Sequence, residues 1–149
     1  MRKVFENMKK KQEGFTLIEL IIVIAILAII AAIAVPNILG AVDNSRKSTD
    51  VANAKIILNA AAQVKAKDAS LADAAGTYTV GTAGVTATGT GTAAFANALE
   101  TELNNANITA KYKNAGNFTL TIDGTDNTMV VTTSEGQVAP NPSSAYDQN

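Results

Sequence analysis

Apolar residues run from Phe15 to Val35 with only Thr16 and Glu19 interrupting them, then give way to a mixed pattern, a Gly/Thr/Ala stretch and finally an alternating one. At the helical rise of about 1.5 Å per residue the first run reaches roughly 30 Å, the thickness of bilayer hydrocarbon, and is expected to cross a membrane as one helix. Beyond Pro36 the pattern stays helical but no longer suits lipid. Val42, Thr49, Ile56, Ala60 and Val64 fall at helical spacing, while Asp43, Arg46, Lys47, Asp50, Lys55, Lys65 and Lys67 supply an exposed side. The two patterns together predict one helix from about Phe15 to Ala69. Pro36 removes a backbone donor and frees the carbonyl of Ala32, and Gly40 weakens the helix one turn later, so bending or unwinding is expected there.

The rest of the chain is expected to form a small antiparallel sheet. In residues 76–94 all but Tyr78, Val80 and Val85 are Gly, Thr or Ala, which predicts a surface loop with short strands at most around Thr77 to Val80 and Val85 to Thr88. Phe95, Leu99 and Leu103 recur every four residues and predict a short amphipathic helix from about Ala93 to Asn104, with Glu100 and Glu102 facing water. Strands are expected within 107–139. Ile108, Ala110 and Tyr112 alternate with Thr109, Lys111 and Lys113, Phe118, Leu120 and Ile122 alternate with Thr119 and Thr121, and Met129 and Val131 continue the pattern. Turn residues at Asn114 to Asn117 and Asp123 to Asn127 join these runs into a meander. The fold class is therefore α+β: a long N-terminal helix, one half transmembrane and the other amphipathic, packed on the sheet.

Charge adds orientation and an anomaly. The first 14 residues hold five bases (Arg2, Lys3, Lys9, Lys10, Lys11) against Glu6 and Glu13, so the positive-inside bias keeps this end in the cytoplasm and turns residues after Pro36 outward. Glu19 lies inside the apolar run, where an acid costs on the order of 2 to 3 kcal/mol at mid-membrane and normally persists only for a partner. After it, no Lys or Arg occurs until Arg46.

The heptapeptide Gly14-Phe15-Thr16-Leu17-Ile18-Glu19-Leu20 resembles the class III leader junction of type IV pilins and their pseudopilin relatives. The resemblance is specific over about residues 9–40. It implies that a prepilin peptidase cuts between Gly14 and Phe15 and methylates the new amine of Phe15. Residues 1–14 would then be a cleaved leader, 15–36 a transmembrane and polymerisation helix, and 37–149 a globular headgroup. The resemblance further implies a helical homopolymer, a membrane platform protein and an assembly ATPase as partners, and a subunit that passes from the cytoplasmic membrane to an extracellular pilus serving adhesion or motility. Glu19 would neutralise the terminal ammonium on Phe15 of a neighbouring subunit, and Pro36 and Gly40 would mark a stretch that melts in the polymer. A pseudopilin of type II secretion or competence DNA uptake fits the same junction.

Two other fates of the apolar run compete. Ala32-Ile33-Ala34 imitates a signal-peptide cleavage site that would free a chain starting at Val35, and an uncleaved anchor would keep Met1. The acid inside the run and the complete junction favour a start at Phe15.

Composition argues against an enzyme and predicts no cofactor. There is no His, Cys or Trp, which removes the commonest proton-transfer group, thiolate chemistry and zinc-finger ligation. Many Gram-negative pilins close their C-terminal region with a disulfide, and this chain departs from that pattern. Without residues 1–14 the chain has seven bases and eleven acids, a net charge of −4, so nucleic acid gains no support as a partner. Arg46-Lys47 and the pair Lys65 and Lys67 lie beside acids and read as solvated helix faces. Asp123, Asp126 and Asn127 invite a calcium reading by resemblance to major pseudopilins. Their spacing misses the EF-hand pattern, so a hairpin turn is expected and no metal. Asn107-Ile108-Thr109 and Asn117-Phe118-Thr119 match the glycosylation triplet, a pattern too common to weigh.

Overall fold

The computed structural model describes residues 14–104 and 108–147. The expected leader lies outside them except for Gly14, as does Asn107 of the first expected strand and glycosylation triplet. One helix, α1 (Leu17–Lys67), opens the described chain and is shared by two compact units, residues 1–39 and 40–149.

Among the described residues the second unit holds a five-stranded sheet, the C-terminal part of α1, a second helix and short 3-10 turns. Its strands are β1 (Gly76–Gly81), β2 (Gly84–Thr88), β3 (Phe118–Ile122), β4 (Met129–Thr133) and β5 (Gly136–Ala139), in the order β2-β1-β3-β4-β5. Every neighbouring pair is antiparallel. Alternation sets the two faces: Tyr78 and Val80 of β1 and Phe118, Leu120 and Ile122 of β3 are buried, while Thr77, Thr79, Thr119 and Thr121 point to the other side. The buried face meets Ala54, Ile57, Ala61 and Val64 of α1 in one apolar cluster. The fully buried Ile57 side chain alone stabilises this contact by about 2 kcal/mol. Helix α2 (Ala93–Glu102) starts where Thr92 Oγ1 accepts the Phe95 N–H at 3.4 Å, and it sends Phe95 against Tyr78 with ring centroids 4.8 Å apart. Gly76 and Gly91 permit the close approach of β1 to the chain leading into α2, because a Cβ on Gly76 would overlap the Gly91 backbone.

Three expectations need correction. Residues 76–94 are less of a loop than expected: the short strands anticipated around Thr77 to Val80 and Val85 to Thr88 are present as β1 and β2, Thr77 pairing with Thr88 and Val80 with Val85, and β1 gains a second partner in β3, which offsets the ordering cost of its glycines. The buried stripe of α1 keeps the expected Ala60 and Val64 but otherwise differs: Asp50, Ala54, Ile57 and Ala61 face the core, whereas Val42, Thr49 and Ile56 are exposed. Residues 108–113 bury Ile108, Ala110 and Tyr112 alternately but form no strand; only Ala110 pairs, with Gly116. Positive φ at Lys113 and Asn114 turns the chain back before a ladder can grow. At Pro36 and Gly40, where the sequence expects bending or unwinding, α1 of the single chain continues as helix. The Asn37 side chain donates from Nδ2 to the Ile33 carbonyl at 3.2 Å, adding a donor beside the one proline removes.

Asp50 joins these features. It is fully buried, and its two carboxylate oxygens accept the backbone N–H groups of Lys111 at 2.7 Å and Tyr112 at 2.9 Å. That segment has almost no ladder to satisfy its donors, so a carboxylate from α1 does so instead. Nearby, Tyr146 is buried with its hydroxyl 2.8 Å from Thr133 Oγ1 and its ring edge on Tyr112 at 5.6 Å. Lys47 donates to the Asp147 carbonyl at 3.0 Å. The C-terminal segment is thus closed by side-chain packing and hydrogen bonds.

Two outcomes follow. Asp50→Ala leaves two inward N–H groups without an acceptor and is expected to cost roughly 3 kcal/mol, read from chemical unfolding of the detergent-solubilised protein. Burial pushes the Tyr146 phenol above its ordinary value of 10.0. The stability linked to that shift is fully present below the unfolded value and is lost as pH rises through the raised folded one, so alkaline unfolding of Tyr146→Phe is expected to lack that pH-dependent loss.

Candidate functional site at the start of the long helix

Gly14 and Phe15 precede the helix outside any regular element, with Phe15 92% exposed. Thr16 then caps α1. Its Oγ1 accepts the Glu19 N–H at 3.3 Å, and Glu19 Oε2 in return accepts the Thr16 N–H at 2.8 Å and the Thr16 hydroxyl at 2.7 Å. This is a capping box, in which two of the free donors at a helix start are satisfied reciprocally. Gly14, Phe15, Thr16 and Glu19 line one open depression. Of these, Thr16 was missed as a partner of Glu19, although Thr-x-x-Glu ahead of an apolar run is the sequence signature of this cap.

The helix that follows is apolar on every side. Leu17, Ile18, Leu20, Ile21, Ile22, Val23, Ile24 and the large apolar side chains after them to Leu39 are all exposed. The helix is long and apolar enough to cross a membrane, with a mean hydropathy of 3.2 over its best window. Its exposed Ala25, Ala28 and Ala32 offer a small-residue surface of the kind that lets helix backbones approach closely. Pro36 and Gly40 lie within this same helix, and a Cβ at Gly40 would meet nothing.

The other sequence candidates are engaged in local structure. Asp123 Oδ1 accepts the Thr125 N–H at 2.6 Å and Asp126 Oδ1 the Thr128 N–H at 2.9 Å, both as turn contacts. Hydrogen bonds from Thr128 hold the Asp126 carboxyl below its ordinary value. Asn127 Oδ1 accepts from Lys65 Nζ at 2.5 Å, and the same ammonium reaches the Ala74 carbonyl at 2.8 Å. Desolvation lowers the Lys65 pKa against a smaller opposing effect of Asp73. Among the described residues no three His, Cys, Asp or Glu groups come together as a metal would need. Several bases are paired: Arg46 with Asp43 at 3.5 Å, Lys67 with Glu102 at 2.6 Å and Lys113 with Glu135 at 3.2 Å. Glu102 therefore faces Lys67 as well as water.

A family model described as the prokaryotic N-terminal methylation motif matches residues 9–35. No curated protein and no solved structure matches the chain. The chain carries the class III prepilin leader motif, consistent with a type IV pilin or pseudopilin, and its long helix on a five-stranded antiparallel sheet matches the α+β pilin fold. Such a motif indicates a structural subunit, and together with the apolar helix it fits membrane insertion.

Proposed function

We propose that the chain is the precursor of a type IV pilin and forms the main subunit of a surface fibre. Its activity is assembly. Prepilin peptidase cuts between Gly14 and Phe15 and methylates the new amine, leaving α1 in the mature protein. The observation that carries this reading is Glu19, the lone acid of the exposed apolar stretch of α1 from residue 17 to residue 39, placed just after a junction of the methylation-motif type.

The chemistry is a pairing across subunits. Cleavage creates an ammonium on Phe15, and the Glu19 carboxylate of another copy neutralises it. Each charge then offsets the desolvation cost of the other in the fibre core. The apolar sides of α1 exchange lipid tails for neighbouring helices, so the transfer exposes little apolar surface to water, and the alanine surface allows close packing. Pro36 and Gly40 supply the weak stretch where the helix melts on polymerisation. A platform protein in the cytoplasmic membrane and a cytoplasmic ATPase drive extraction from the bilayer. A pseudopilin of type II secretion or competence DNA uptake uses the same anchor and junction.

Sequencing the mature N-terminus is expected to give Phe15; a start at Val35 or Met1 overturns the processing scheme. Glu19→Ala is expected to leave insertion and cleavage intact while abolishing or badly slowing fibre formation, and normal fibre yield removes the pairing role. Electron microscopy of cells expressing the chain separates the two assemblies: long surface fibres indicate the pilus, and their absence with an export defect on deletion indicates the pseudopilin.

A further inference from the structure

In the unassembled chain, Glu19 is already partly satisfied. Both hydrogen bonds to its carboxylate come from Thr16 and converge on Oε2, while Oε1 accepts none among the described residues. The carboxylate edges the open depression that Phe15 also lines. One oxygen is therefore fixed and the other unengaged.

Resting on the assembly role given to Glu19 above, we propose that Thr16 is a positioning residue for subunit pairing: it clamps Oε2 so that Oε1 is presented to the cationic terminus of a second copy. A glutamate side chain free to rotate loses that freedom when it pairs, whereas one already held by Thr16 has less to lose. In apolar surroundings a carboxylate also needs several donors to remain ionised. Thr16 supplies two, and the incoming ammonium supplies another. A hydroxyl suits the position because it accepts the Glu19 N–H and donates to the same residue's carboxylate at once. Simple helix capping would require only the acceptance.

That difference makes the test. Thr16→Val, Thr16→Gly and Thr16→Ser are compared with the unaltered full-length chain in cells for membrane insertion, cleavage and fibre yield. Glycine is a tolerated N-cap but has no hydroxyl to donate. Val and Gly are expected to insert and be cleaved normally, yet lower fibre yield about tenfold or more, the loss of one charge-assisted hydrogen bond, while Ser restores it. Unaltered yield with Gly would show that only the cap matters and overturn the proposal, as would failure of Ser to restore assembly. If Val disturbs cleavage, the Gly and Ser pair decides alone. Normal assembly of Glu19→Ala in the same experiment would instead defeat the subunit-pairing reading itself.

Discussion

A carboxylate within an apolar helix has to be surrounded by donors, and that constraint organises the start of this chain. Glu19 draws its first donors from Thr16, three residues back, at 2.8 and 2.7 Å. The arrangement also begins α1 at a defined residue, because the same Thr16 oxygen takes the Glu19 N–H. Helix start and acid placement are thus one feature. No side chain further along α1 is needed to explain why an acid is tolerated there, and the apolar sides of the helix remain free to meet lipid or other helices.

The same device recurs further along α1 with a different result. Asp50 sits among core side chains and uses both oxygens on the Lys111 and Tyr112 N–H groups. Where Glu19 serves its own helix, Asp50 ties α1 to a segment sixty residues away in sequence. The tie stands in for the ladder that residues 108–113 lack. Removing charge from either place would change different things: the definition of a helix end in one case and the path of the chain over the core in the other.

Much of this was legible in the sequence, and the failures have identifiable causes. Periodicity located α1 and α2 to within two residues and placed β3 and β4, because long amphipathic or strictly alternating runs are the least ambiguous signals. The turn of α1 was misjudged because Asp50 reads as a surface charge, and only the donors of Lys111 and Tyr112 explain its burial. The two short strands within Gly76 to Thr88 were legible, but not their place in the sheet, because the strand character of Gly, Thr and Ala depends on pairing with β3. Residues 108–113 alternate like a strand, yet the reversal at Lys113 and Asn114 and the hydrogen bonds to Asp50 prevent one. At the start of α1, the acid was conspicuous and its partner was not.

The manner in which the C-terminal segment is held has a consequence for how the molecule matures. Tyr146, Thr133, Tyr112 and Lys47 hold it by contacts that form and break freely, and the chain contains no cysteine to replace them with a covalent link. Completion of the fold therefore calls for neither an oxidant nor a disulfide isomerase. A fold held this way needs no cross-link that anoxic surroundings would withhold.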